Sequence, residues 1–498
     1  MIRGAVLLRQ SLWSALGWVL PAIAALWAVP GLTRALGDTG FGLLAIAWSL
    51  VGWFSAADLG LSRAVTQGVA RAMARDARHE AAALTWSALA LMTPASIAAA
   101  ALLWWGAPGV AGFLKLGAES QDASLSIRWI ALAIPATVLM TALRGVLEGT
   151  RSFAVVALLR IPLGIAFALV PLALADSGLG VVGAVQGIVL VRVIALIAHA
   201  FAALATLPEL RQLQFANAAT RRSLLVFGGW TTVSNVISPL MNAMDRVGIA
   251  ALIPVAAVAP YALAFEVGTK IWILTATLVP VLYPSFAALL ATDPQSASGR
   301  LEQGNRAILA AGTPVLIGFA ALAMPGMTWW VGTSLSAEAA LSLQWLSIGL
   351  AANLSAQVAL AFVQAADRPS LVAWGYIVQL PLYVLCLVWA VPRYGAAGAA
   401  AVWSARAIGD ALWLLMAAGR AEPAAQARWR SLIWWSGAAT VIVGAVAAAA
   451  HVASPAIALF VGLCAWGLLM LRGGLLNASE RGGLWRELTR LNAGAERR

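Results

Sequence analysis

Three pairs of opposite charge stand four residues apart inside apolar runs of this chain: Arg144 with Glu148, Glu266 with Lys270, and Arg406 with Asp410. On a helix that spacing brings both heads to one face. Further cations lie within such runs at Arg128, Arg160, Arg192 and Arg246, and a further acid at Asp245. A charged side chain at the centre of a membrane helix costs at least about 2.5–3.5 kcal/mol, so each must be paired or wetted. Two kinds of chemistry fit. The pairs could lock helices together, or the cations could line a wet interior and hold an anion. Arginine suits the second for phosphate, because its planar fork makes two parallel hydrogen bonds.

Depth sorts these residues. Arg144 and Glu148 lie near one end of their run, where long side chains can snorkel, and Arg128 lies close to the other end. Arg160, Arg192, Glu266, Lys270, Arg406 and Asp410 lie roughly 10–20 Å in, at about 1.5 Å per residue. We read Arg144, Arg160, Arg192, Arg246, Lys270 and Arg406 as candidate substrate-binding cations. Asp58, Glu148, Asp245, Glu266 and Asp410 are candidate coupling or gating acids. Asp58 sits where an apolar run ends, just before Gly60 and Ser62. It either bonds locally, to the helix end or to Arg63, or forms half of an inner gate.

Catalysis finds little support. His199 lies in an apolar run without a nearby acid, so a membrane-enclosed general base is disfavoured. Cys386 and Cys464 lie in different runs with no metal-ligand spacing. No catalytic residue, metal centre or resident cofactor is read from the sequence, and an enzyme is not expected.

The elements that must position these charges are membrane helices. The 498 residues are 62% hydrophobic and only 10% charged, where a soluble chain carries roughly 25%, and the mean hydropathy is +0.87. Apolar runs of about 20 residues recur throughout, each able to cross a bilayer core of about 30 Å. This predicts an all-α polytopic membrane protein of about fourteen helices. The first six cover approximately residues 10–32, 40–61, 81–105, 125–148, 153–175 and 179–206. The next six cover approximately residues 223–250, 257–290, 306–326, 337–365, 370–391 and 396–418, and the last two 431–450 and 455–472.

The net charge of +12 is explained by orientation, so nucleic acid is not an expected partner. With the N-terminus inside, alternate loops hold roughly 22 Lys and Arg on the cytoplasmic side against 3 outside, a strong positive-inside bias. Both termini are therefore expected in the cytoplasm of a bacterial inner-membrane protein. Arg3 and Arg9 precede an apolar run that continues to Leu32 without a small-residue cleavage site, so that run reads as a retained first span. Arg71, Arg75 and Arg78 fall on one helix face and suit anionic headgroups.

The chain also repeats itself. LGVVGAVQGIVLVRVIALIAHAF (179–201) resembles YGAAGAAAVWSARAIGDALWLLM (394–416), so Gly180 and Gly183 match Gly395 and Gly398. EGTRSFAVVALLRIPLG resembles AADRPSLVAWGYIVQLPLY, with Pro162 against Pro381, and Trp104 and Trp105 match Trp329 and Trp330. All three pairs lie about 215–225 residues apart and in the same order. They predict two parallel six-helix repeats, forming two lobes around a central cavity, plus two C-terminal helices. The divisions are 1–210, 211–420, 421–475 and a basic cytoplasmic tail, 476–498.

Four stretches resemble a known family: ADLGLSRAVTQGVAR, RGVLEGTRSF, MDRVGIAALIPVAAVAPYALAFEV and LPLYVLCLVWAVPRYGAAGAAAVWSAR. In order and spacing, over nearly the whole chain, they are similar to bacterial oligosaccharide flippases. These are the polysaccharide transporters of the multidrug/oligosaccharidyl-lipid/polysaccharide (MOP) exporter superfamily. The resemblance implies a cation-lined cavity and movement of an undecaprenyl-diphosphate-linked oligosaccharide to the periplasmic leaflet. It implies coupling to an H⁺ or Na⁺ gradient, with membrane lipid, a polysaccharide polymerase and a chain-length regulator as partners. Lipid II flippases and multidrug exporters share the superfamily; cationic drugs suit an arginine-rich lumen poorly, whereas lipid II carries the same diphosphate. A polymerase or ligase would be expected to carry a sizeable external loop, and the longest here is about Gly106 to Ser124.

Overall fold

The computed structural model describes residues 2–56, 61–113, 120–216, 241 and 244–472. Asp58, most of the expected seventh span and the basic tail lie outside the described residues.

Helices account for nearly all of what is described. α1 (Ile2–Ala56) contains 55 residues, about 80 Å at 1.5 Å per residue, far more than one bilayer crossing. The chain resolves this at Gly37, whose φ of 65° and ψ of −179° interrupt the helix. That backbone is open to glycine because no Cβ obstructs it. α5 (Phe153–Leu174) meets α6 (Gly180–Thr206) at a similar break, with Gly178 at φ 87° and Gly180 at φ 60°. Later, α13 (Pro369–Ala421) is broken at Gly395, with φ 59°. These breaks fall where hydropathy separates spans one from two, five from six, and eleven from twelve.

The remaining elements are α2 (Leu61–Ala74), α3 (Arg78–Phe113), α4 (Ser120–Gly149) and a helical segment α7 at 244–252. They continue with α8 (Val258–Gly268), α9 (Trp272–Thr292), α10 (Pro294–Ala321), α11 (Ala323–Val331) and α12 (Thr333–Ala365). A short α14 (Pro423–Gln426), then α15 (Trp429–Ala449) and α16 (Pro455–Arg472), end the described chain. Among the described residues eight helices are long and apolar enough to cross a membrane, or nine if α10 and α11, bent by 71°, form one span. Divided at their glycines, and joined by α7 and α16, they agree with about fourteen crossings and an all-α membrane fold.

The sequence repeat is matched in backbone. Gly180 and Gly395 share φ near 60° with ψ of −153° and −142°. Three residues on, a Cβ at Gly183 would approach Leu179, and one at Gly398 would approach Tyr394, the residue four before it in each case. The turns after α4 and α12 also agree. Arg151 and Asp367 both take positive φ. Each donates its N–H three residues back, and the next N–H reaches five back, the paired bonds that satisfy the last carbonyls of a helix.

Packing follows chain order. α3, α4 and α6 pack together and α1 packs on α5 in the first half; α12 packs on α13, α10 and α8 in the second. α15 and α16 lie against α10. The halves meet chiefly where α1 touches α8 and α9, and a cavity opens beside that seam.

Candidate functional site

This cavity is about 730 Å³ and has two unlike walls. From α1 and α5 come apolar and aromatic groups, including Phe41, Trp48 and Phe167. From α7–α9, α12 and α13 come Arg246, Glu266, Thr269, Lys270, Asn353, Gln357, Trp403, Arg406 and Asp410. Three formal cations thus face the space against two carboxylates.

Local structure explains how the charges reach it. Between α8 and α9 the chain tightens into one 3₁₀ turn, Thr269–Ile271. Such a turn inside a span re-aims neighbouring side chains. It carries Lys270 against Glu266, one turn earlier, and the two form an ion pair about three-quarters buried. Thr269 returns its hydroxyl to the Phe265 carbonyl at 2.6 Å. Trp272 donates to Asn353 Oδ1 at 2.9 Å, fixing one amide on the wall.

The two arginines are seated on rings. The Arg246 guanidinium lies 4.5 Å from the Phe265 ring centre and 5.9 Å from that of Tyr261. Arg406 lies 5.3 Å from Tyr383 and 5.6 Å from Trp403. Aromatic faces attract a cation electrostatically, which helps hold both guanidinium groups at the cavity wall. Asp410, one turn beyond Arg406, accepts from Gln379 Nε2 at 3.3 Å. Asp245 is fully buried behind the wall and accepts from the Tyr261 hydroxyl at 2.6 Å. Its second oxygen is buried without a hydrogen-bond partner among the described residues.

Of the sequence-derived cations, Arg246, Lys270 and Arg406 border this cavity, and Arg144, Arg160 and Arg192 do not. Arg192 stands one ring away, its guanidinium 4.4 Å from the centre of Phe167, which does border it. Arg144 pairs with Glu148 at 3.3 Å, and Arg128 lies over Trp104. Among the acids, Glu266 and Asp410 border the space, Asp245 lies just behind it, and Glu148 stays with Arg144.

Sequence reading passed over two features. Asn353 and Gln357, four residues apart, supply neutral polar lining; their spacing was a signal, but uncharged amides do not stand out by hydropathy. Glu302 accepts from Arg306 at 2.5 Å, Arg428 at 2.5 Å and the Ser431 hydroxyl at 2.7 Å, tying α10 to α15. Among the described residues no group of His, Cys, Asp or Glu could hold a metal ion. The arrangement can accommodate an anionic group at the cationic wall while flat rings face it from the other side.

Known proteins resemble this chain in sequence and in fold. Residues 7–290 match a family model described as polysaccharide biosynthesis protein. A Shigella flexneri protein assigned as an O-antigen transporter is 28% identical over 411 residues, which covers 82% of this chain and 96% of that one. Among solved structures, an inward-facing multidrug resistance MATE family transporter of the MOP superfamily superposes with a TM-score of 0.67. That match has 14% identity and covers 84% of this chain and 98% of the other. The lipid II flippase MurJ, in an inward closed conformation, gives 0.63 at 13% identity over 92% and 99%. At such identities these structures establish a shared fold.

Proposed function

The chain belongs to the polysaccharide biosynthesis protein family, and from that premise we propose that it is a flippase for undecaprenyl-diphosphate-linked oligosaccharide. It moves repeat units from the cytoplasmic to the periplasmic leaflet for assembly of O-antigen, capsule or exopolysaccharide. The observation that carries this reading is the cavity wall bearing Arg246, Lys270 and Arg406 opposite Phe41, Trp48 and Phe167. Guanidinium and ammonium groups match a diphosphate, and flat rings match the C–H faces of sugars. The lipid chain remains among apolar surfaces while the headgroup crosses the polar space.

Alternating access between the two halves supplies the movement, and an H⁺ or Na⁺ gradient supplies the drive. The buried carboxylates Asp245 and Asp410 are the acids best placed to exchange an ion with the cavity. Loop charge favours an inner-membrane protein with both termini cytoplasmic. A polysaccharide polymerase and a chain-length regulator would receive the product. An excess of cations on the wall disfavours cationic drugs as cargo.

The test is complementation of a strain that lacks its own repeat-unit flippase. Wild-type protein should restore surface polysaccharide, and Lys270→Ala and Arg406→Ala should abolish it at unchanged membrane abundance. Normal polysaccharide from both variants would overturn the cavity assignment. Rescue of cells starved of lipid II flipping instead would move the cargo to peptidoglycan precursor.

A further inference from the structure

A second chamber of about 580 Å³ opens in the C-terminal half, between α12 and the two limbs of α13. Most of its lining is apolar, including Leu341, Trp345, Leu382, Cys386 and Trp389. Apolar surface alone is ordinary on a protein bathed in lipid. The floor is different. There Arg406, which also borders the central cavity, lies over the Tyr383 ring, and Gln379 lines the same space.

Two of these three floor groups have polar atoms left over. Tyr383 is 2% exposed, and its hydroxyl is buried without a hydrogen-bond partner among the described residues. Gln379 spends Nε2 on Asp410, while its Oε1 is buried and unpartnered in the same sense. Buried polar atoms are nearly always satisfied in native proteins, so such exceptions in a cavity point to a ligand. Charge complementarity then fixes its chemistry. A guanidinium and a phenolic donor suit a phosphate, an amide oxygen suits a neighbouring hydroxyl, and the walls suit a hydrocarbon chain.

Depth selects among phosphate-bearing lipids. Arg406 lies eleven residues beyond the break at Gly395, about 16 Å along the helix. A resident phospholipid keeps its phosphate at the interface and gains nothing from a polar floor so deep. A lipid whose headgroup passes through mid-membrane needs one. We propose that this chamber receives the prenyl chain of the transported lipid, with Arg406 and Tyr383 holding its phosphate end and Gln379 Oε1 accepting from a hydroxyl beside it. The inference rests on the flippase reading above and deepens it. Arg406 faces both spaces, so it hands the headgroup from the central cavity to a side exit on the outer half of the C-terminal bundle.

Cys386, half-buried in the chamber wall, reports occupancy directly. In full-length Cys464→Ala protein reconstituted in nanodiscs, the rate of Cys386 alkylation by N-ethylmaleimide is followed. Undecaprenyl diphosphate should slow it at least about fivefold, and Tyr383→Phe with Arg406→Gln should abolish that protection. Inorganic pyrophosphate and phosphatidylglycerol should leave the rate unchanged. Equal protection by phosphatidylglycerol would make the chamber a general lipid groove, and protection by pyrophosphate alone would remove the role of the chain; either result overturns the proposal. So would an unchanged rate with undecaprenyl diphosphate. If wild-type protein restores surface polysaccharide while Cys386 is unprotected, the chamber assignment falls and the flippase reading stands. If it restores none, the flippase reading itself falls.

Discussion

Glu266→Gln and Lys270→Ala remove opposite charges from one ion pair on the cavity wall, and their effects on an anionic headgroup should have opposite signs. With all five groups ionised the wall carries three positive and two negative charges. Glu266→Gln raises that excess by one, and Lys270→Ala cancels it. For a bound phosphate about 6 Å from the substituted charge, at an effective dielectric of about 20, the Coulomb energy is about 3 kcal/mol; water in the cavity halves it to about 1.4 kcal/mol. Each substitution should therefore change affinity by about tenfold to a hundredfold, up for Glu266→Gln and down for Lys270→Ala. The double variant restores the original excess and should bind near the wild-type level. The assay is equilibrium binding of undecaprenyl-diphosphate oligosaccharide to purified protein in nanodiscs, with thermal unfolding run in parallel. If the pair served only to tie the 3₁₀ turn to α8, both single variants would lose stability and weaken binding alike. Equal loss in both would refute the electrostatic argument.

Three further outcomes follow from the fold. Gly180→Ala and Gly395→Ala place a Cβ on backbone at φ near 60° with ψ near −150°, a region that costs other residues about 1–3 kcal/mol, and each should lower the unfolding temperature in detergent. Glu302→Ala removes the carboxylate that Arg306 and Arg428 share, whose side chains are 21% and 44% exposed; solvent reduces the usual penalty for a broken buried pair to about 2–3 kcal/mol, and protease sensitivity between α14 and α15 should rise. Asp293 caps α10, accepting from the Ser296 hydroxyl and N–H, and those bonds hold its carboxyl below the usual carboxylate range. Its contribution is therefore complete above about pH 4, the unfolded value, and fades as pH falls through the lowered folded value. Hydrogen exchange in the first turn of α10 should quicken over that range in wild type and show no such pH step in Asp293→Asn.

Hydropathy made the crossings legible because each one must satisfy its own backbone in lipid. The boundaries between adjoining spans were legible as gaps in hydropathy, and the structure turns at or beside those gaps on Gly37, Gly180 and Gly395, where no Cβ obstructs the backbone. The repeat was readable for the same reason, since matched glycines occupy matched backbone. Charges inside spans were visible as cost, which pointed to Arg246, Lys270 and Arg406 but equally to Arg144, Arg160 and Arg192. Their grouping was not visible. In a membrane helix both lipid-facing and core-facing sides are apolar, so periodicity says little about rotation, and Arg192 behind Phe167 reads just like Arg406 beside the cavity. The Glu302 cluster was hidden because Arg428 lies 126 residues away in sequence. Asn353 and Gln357 carry no charge to mark them, and the Tyr261–Asp245 hydrogen bond depends on tertiary packing.

Headgroup translocation in proteoliposomes tests the central claim most directly. Fluorescent undecaprenyl-diphosphate oligosaccharide is placed in one leaflet, and its arrival in the other is read by a membrane-impermeant quencher under an imposed ion gradient. Wild-type protein should move the label, and the Arg246→Gln, Lys270→Gln, Arg406→Gln combination should stop it while the protein remains folded. Undiminished movement by that combination would contradict a cationic passage for the diphosphate.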